Sequence, residues 1–312
     1  MNITGKSHIA YSVAKTYSLK VIDLRLAQCD PCDLLGFPTV IGNKSGYLPM
    51  ETFPMEGDTI PGGYSGWLLF LDEFNSAAPA VQAAAYKLIL DRMVGKYNLH
   101  DNVAIICAGN LVTDGAIVNE MSTALQSRLI HFELEVSTEE WCNWAIKNDI
   151  SHYITDYIKF KPNNLYSFKP DHTDSTYAAP RTWEFANRIL KDSSLTDTEL
   201  LPLLSGTLSE GIAREFITFT KIYKELPTII SIQASPLTVE IPKEPSILFA
   251  LTGSLAHNIT THNVENLMIY ISRLPKEFQV VTLRETIRRK PEMLNNASIQ
   301  KWVEESAIDL FS

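Results

Sequence analysis

Hydrophobic positions in the first part of the chain follow two alternating patterns. Ile9, Val13, Ala14 and Tyr17 recur at helical spacing behind Thr4-Gly5-Lys6-Ser7, which predicts a glycine turn opening into a helix. Val21, Ile22 and Leu24 then mark a strand over residues 20–26, after which Asp30, Pro31, Asp33, Gly36 and Pro38 break regular structure. Trp67-Leu68-Leu69-Phe70-Leu71 is apolar throughout and ends in Asp72-Glu73, the pattern of a strand buried on both faces whose carboxyl end emerges at a sheet rim. Ser76 is placed to cap the next helix, with Pro79 in its first turn, Val81, Ala85 and Leu88 as its apolar stripe, and Gly95 as its stop. Residues 96–99, the turn His100-Asp101-Asn102 and residues 103–108 predict a hairpin whose second arm is another buried strand ending at Gly109-Asn110. Residues 129–134 form a further apolar stretch. Strands alternating with helices, each ending in polar groups, describe a mostly parallel sheet whose ligand site lies beyond the strand carboxyl ends.

Residues 40–66 interrupt this pattern with Gly42, Gly46, Pro49, Pro54, Gly57, Pro61, Gly62 and Gly63. A loop of that length inside a domain is either functional or carries a small hairpin of its own, and Tyr47, Leu48 and Phe53 are candidates to pack on the core. Ser137-x-x-Glu140 has the form of a capping box opening a helix through Trp141 and Trp144. After a polar loop over residues 161–180 the pattern is helical at residues 181–190, 197–204, 208–226, 246–258, 264–274 and 276–290, which sets a boundary near Asp171.

Composition narrows the class. The chain has 312 residues, 45% hydrophobic and 20% charged, which excludes disordered and fibrous chains. Lys+Arg 27 against Asp+Glu 36 gives a net charge of -9, which disfavours wholesale clamping of nucleic-acid phosphates while leaving room for a local basic patch. No apolar run approaches the ~18 residues needed to span a bilayer, and no signal pattern opens the chain, so a cytoplasmic protein is expected. Four cysteines are too few for a disulfide framework; Cys29-x-x-Cys32 lacks the second ligand pair of a zinc site and reads as two thiols in a loop.

Gly5-Lys6-Ser7 supplies the last three positions of G-x-x-x-x-G-K-[ST], a loop whose backbone N–H groups wrap phosphates while Lys reaches the outer phosphates and the hydroxyl meets Mg²⁺. The first glycine of that pattern would stand one residue before Met1. A strand ending in Asp72-Glu73 supplies the matching carboxylates at the rim. With Leu69-Phe70-Leu71-Asp72-Glu73-Phe74-Asn75, Ala77-Ala78-Pro79-Ala80-Val81-Gln82, and Ile22-Asp23-Leu24-Arg25-Leu26 followed by Asp30-Pro31 and Asp33, the chain resembles the AAA+ ATPases, within them the MoxR-like group with its CbbQ-type and phage-encoded relatives.

This resemblance implies a P-loop three-layer αβα core over residues 1–170, with an insert at 40–66 and its first central strand missing, a helical lid at 171–230 and a helical C-terminal extension at 231–312. It implies ATP and Mg²⁺ as ligands: Gly5, Lys6 and Ser7 on phosphate, Ser7 and Asp72 on the metal, Glu73 polarising the attacking water. Asn110 resembles sensor 1, Arg128 the arginine finger that reaches a neighbour's nucleotide, and Arg181 the sensor 2 arginine. Also implied are a homo-oligomeric ring, a hexamer, in the cytoplasm (of the host if phage-encoded), and remodelling of a partner carrying a von Willebrand A domain. The rival outputs are a McrB-like nucleic-acid motor and a catalytically weakened scaffold. Each assignment has a plainer rival: Asp72 and Glu73 as solubility charges, which an Asp-Glu pair capping five apolar residues makes the minority reading, Asn110 as a turn residue, and Arg128 and Arg181 as surface arginines, which is how these two read without the resemblance. Arg284, Arg288, Arg289 and Lys290 either meet nucleic acid or complement a helix dipole. Because the implied sheet needs a strand before the phosphate loop, the natural chain is expected to extend upstream of Met1.

Overall fold

A computed structural model describes residues 6–110, 118–119, 121–192 and 195–311. It is a mixed α/β protein, a small parallel sheet followed by an all-helical region, and the chain divides into two compact units, residues 1–135 with 169–172 and residues 136–168 with 173–312.

In the first unit, helix α1 (Lys6–Thr16) leads into strand β1 (Leu19–Arg25), the short helix α2 (Pro31–Leu35) and an antiparallel hairpin of β2 (Phe37–Ile41) and β3 (Lys44–Leu48). Strand β4 (Gly66–Asp72) is the middle of a three-stranded parallel sheet, paired with β1 from Leu19↔Gly66 to Arg25↔Asp72. Helix α3 (Pro79–Tyr86), the two-residue strands β5 (Met93–Val94) and β6 (Tyr97–Asn98), strand β7 (Val103–Cys107) and helix α4 (Thr123–Gln126) follow.

β4 is central because its run Trp67–Leu71 is apolar on both faces: Leu68, Leu69, Phe70 and Leu71 are all fully buried. Leu69 and Leu71 face Val81, Ala84, Ala85 and Leu88 behind α3, whereas Leu68 and Phe70 face Ala10 and Ala14 of α1. Removing each of these large side chains from water contributes about 1.5–3 kcal/mol, so the two faces together outweigh the backbone pairing in fixing where β4 sits.

Three local expectations change. Residues 103–107 do not return to residues 96–99; β6 pairs with β5 around Gly95, and β7 lies parallel to β4 from Trp67↔Val103 to Leu71↔Cys107. An apolar strand gains more beside the buried β4 than at the end of a hairpin. Ser76 does not cap α3; Ala78 holds that position with Pro79 at the first helical residue. Residues 129–134 form no regular element, and Ile130 and Phe132 stand 84% and 83% exposed. An alternating pattern becomes a strand only where a ladder partner accepts it, and none pairs with this segment among the described residues. Of the insert's aromatic and apolar candidates, Phe53 is buried, and Tyr47 and Leu48 are exposed on the hairpin.

The second unit holds helices α5 (Thr138–Lys147), α6 (His152–Phe160), α7 (Pro180–Leu190), α8 (Asp197–Leu208), α9 (Glu210–Glu225), α10 (Ile229–Ala234), α11 (Pro245–Asn258), α12 (Val264–Ile271), α13 (Lys276–Arg289) and α14 (Ala297–Phe311). Ser137 caps α5, its hydroxyl accepting from the Glu140 N–H, which is the first half of the box that Ser137-x-x-Glu140 predicts. One core runs from Trp141 through Tyr157, Trp183, Phe216 and Leu251 to Ile299, so α5 and α6, which lie inside the predicted residues 1–170, pack with the helices that follow, as do those of residues 171–230 and 231–312. The basic run of α13 is spent internally: Arg289 donates to Asp156 at 2.8 Å, Arg288 to Glu139 at 2.7 Å, Lys159 pairs with Glu285, and Tyr223 donates to Asp156 at 2.7 Å.

His152 opens α6 and stacks on His257 in the last turn of α11, centroids 4.4 Å apart. Burial lowers the His152 pKa to about 4, with the charges of His257 and Arg289 adding to it. His257 is lowered by burial and then by Arg289 and Lys290, against the pull of Asp156. The fold therefore holds both rings neutral while the unfolded chain binds protons near the ordinary value of 6.5. Stability from this pair is complete above that pH and is lost as the pH falls toward 4, by about 3 kcal/mol for His152. Between neutral pH and pH 4 the wild type is expected to lose about 3 kcal/mol more stability than His152→Phe, read from urea midpoints of both; parallel losses in both would remove His152 as the cause.

Candidate functional site

The polar rim predicted beyond the strands is built by three placements. α1 rests Ala10 and Ala14 on Leu68 and Phe70, and these small side chains let the helix lie close, which sets its first residue, Lys6, over the carboxyl end of β4. Asp72 is the last rung of the β1–β4 ladder, opposite Arg25. β7 ends at Cys107, and the backbone continues the pairing for one step, Ala108 N–H to the Leu71 carbonyl at 2.9 Å and Phe74 N–H to the Ala108 carbonyl at 2.8 Å. Gly109 and Asn110 are thereby carried to the same rim.

Four of the eight sequence-predicted residues meet there. The Lys6 amine donates to the Gly109 carbonyl at 2.7 Å and to Asn110 Oδ1 at 2.6 Å. The Ser7 hydroxyl donates to Asp72 Oδ2 at 3.1 Å, and Asp72 Oδ1 accepts the Glu73 N–H at 2.9 Å. Glu73 itself has φ 55 and ψ 35, a left-handed conformation that costs about 1 kcal/mol for a residue with a Cβ; it turns the chain at once after β4 and sends Phe74 into the core.

Two groups border the rim that pattern reading passed over. Tyr11, one turn along α1, donates to Asp23 Oδ2 of β1 at 2.9 Å, and its phenol pKa is raised by burial, then by Asp23, with the Asp72 charge adding. Asn75 bonds the backbone of Asn110 twice. The signal for Asn75 was its place two residues behind the Asp-Glu pair; for Tyr11 there was only its helical spacing from Ser7.

The remaining positions stand differently. Gly5 lies outside the described residues. Arg128 follows the short α4 and is exposed, and among the described residues no hydrogen bond or ion pair joins it to the four. Arg181 is the second residue of α7, exposed, in the helical unit. All four cysteines are free; burial raises Cys107 to about 12, and Cys29 is raised by burial and by Asp33 and Asp30, so neither of these two is a ready thiolate. Cys32 sits within α2 rather than in a loop. No helix among the described residues is long and apolar enough to cross a membrane.

The donor set fits a nucleotide's phosphates and their cation. A primary amine and the N-terminus of an 11-residue helix with no acidic residue in its first turn favour an anion. A hydroxyl and a carboxylate sharing one contact offer the hard oxygens that Mg²⁺ takes, and a site completed by phosphate oxygens and water does not need a cage of three protein ligands, which the described residues do not contain. No protein-family model, curated protein or solved structure matches the chain, so the reading of this rim rests on its own geometry.

Proposed function

We propose that the first unit binds ATP with Mg²⁺ and hydrolyses it, in a protein of the MoxR-like AAA+ kind. The observation that carries this reading is the meeting of Lys6, Ser7, Asp72 and Asn110, from three separate segments, at the carboxyl rim of a parallel sheet. In it Lys6 binds the outer phosphates, Ser7 and Asp72 hold the cation, Glu73 accepts the proton side of the attacking water, and the Asn110 carboxamide orients that water. Mg²⁺, when bound, neutralises charge on the phosphate oxygens. Arg128 completes the site of a neighbouring copy in a ring, taken as a hexamer, and its exposure leaves the guanidinium available for that. Arg181 acts from the first turn of a lid spanning residues 171–230, ahead of the extension at 231–312. The work is done on a partner protein with a von Willebrand A domain; the net charge of -9 favours that output over a nucleic-acid motor.

If Arg128 acts in trans, activity per chain rises with protein concentration as copies assemble. A mixture of Arg128→Ala and Lys6→Ala chains, each inactive alone, is then expected to regain part of the wild-type rate at mixed interfaces. Assembly confirmed by light scattering with no regained activity would count against the trans role. Hydrolysis stimulated by DNA and suppressed by salt would move the output to the motor.

A further inference from the structure

The peptide unit of Asn110 is held by a side chain from a different strand end. Asn75, in the turn behind Glu73, accepts the Asn110 N–H at Oδ1, 2.9 Å, and donates from Nδ2 to the Asn110 carbonyl at 2.6 Å. A carboxamide that takes both backbone groups of one residue acts as one more rung of a β ladder, placed where the backbone pairing between β4 and β7 has run out. The Asn75 backbone carbonyl accepts the Asn119 N–H at 2.7 Å, so the turn that presents Asn75 is tied from its other side as well. Gly109 makes the approach possible. A Cβ at that position would lie 2.5 Å from Asn75 Oδ1 and 2.9 Å from its Cγ, closer than atoms can sit. With its peptide engaged in this way, Asn110 keeps its own carboxamide for the rim, where Oδ1 meets the Lys6 amine.

We propose that Asn75 and Gly109 form a positioning pair that couples the Glu73 turn to Asn110, so that the two groups assigned to the attacking water keep one fixed separation through the catalytic cycle. Resting on the nucleotide reading given above, this assigns Asn75 no contact with the substrate: it acts through Asn110. A merely structural asparagine in this turn would lower stability when replaced; a positioning one lowers the hydrolytic step while ATP still binds.

The test uses the full chain and four proteins: wild type, Asn75→Ala, Gly109→Ala and the double variant. Amide hydrogen exchange over the end of β7 reads the clamp without any nucleotide, and exchange there is expected to quicken in Asn75→Ala. ATP dissociation constants are expected to stay at the wild-type value, while kcat falls on the order of tenfold to a hundredfold, the cost of misplacing a reacting group by a fraction of its reach. Gly109→Ala should show the same loss, because the new methyl evicts the Asn75 side chain. The double variant should be no slower than the worse single one, since removing the side chain makes room for the methyl. Unchanged exchange in Asn75→Ala, an unchanged kcat, or losses that multiply in the double variant would each overturn the pair. A wild type that neither binds nor hydrolyses ATP would overturn the nucleotide reading, and the positioning role with it, whatever the exchange shows.

Discussion

Lys6→Ala is expected to abolish detectable ATP binding. Lys6 is the first residue of α1, where the backbone N–H groups of the helix face outward, and its amine already sits among oxygens at the rim, 2.7 Å from the Gly109 carbonyl and 2.6 Å from Asn110 Oδ1. An outer phosphate brings several negative charges to that place. The helix terminus alone favours an anion by about 0.3–1 kcal/mol, less than one factor of ten in affinity, so the lysine must supply the greater part. Charge-assisted hydrogen bonds of about 1.5–3 kcal/mol each lead to an expected loss of at least about a hundredfold. Calorimetric titration of a variant whose melting matches wild type checks this. Retained affinity would remove the phosphate-loop assignment, and with it the role of Ser7 beside Asp72.

Glu73→Gln is expected to separate binding from chemistry. Glutamine keeps the length of the side chain and adopts the left-handed backbone of residue 73 at the same cost, so the turn, the Asp72 contact to the residue 73 N–H and the burial of Phe74 persist. What disappears is the negative group that draws a proton from water. General-base contributions of about 10²–10⁴ set the size of the fall in kcat, with ATP affinity unchanged. Turnover and bound nucleotide measured on the same sample decide the matter: a wild-type rate would leave Glu73 as a solvated strand end. Asp72→Asn should behave otherwise, weakening Mg²⁺-dependent binding, because Asp72 and not Glu73 contacts the Ser7 hydroxyl.

Part of this site could be read from order along the chain, and part could not. The run from Trp67 to Leu71 specified a strand buried on both faces because no position in it offered water a polar side chain, and no tertiary contact was needed to see that. The Ser137 cap and most of the long helices followed from local periodicity in the same way; Ile9, Val13, Ala14 and Tyr17 marked α1 as a helix but not its buried face, which is Ala10 and Ala14 while Ile9 and Tyr17 are exposed. Asp72-Glu73 at the strand end and Gly5-Lys6-Ser7 before the helix had a local meaning as well.

Pairing was another matter: β7 and residues 129–134 both read as short apolar stretches, although His131 and Glu133 interrupt the second. β7 found the exposed edge of β4 and became a strand; the later stretch finds no ladder among the described residues and carries Ile130 and Phe132 to the surface. Asn75 reaching 35 residues ahead to Asn110, Tyr11 reaching Asp23, and a run of α13 arginines turned inward to Asp156 and Glu139 are likewise products of which strands and helices came to lie together. A hydrogen bond has a range of about 3 Å and a direction, and neither can be assigned to two residues until the fold has set their distance.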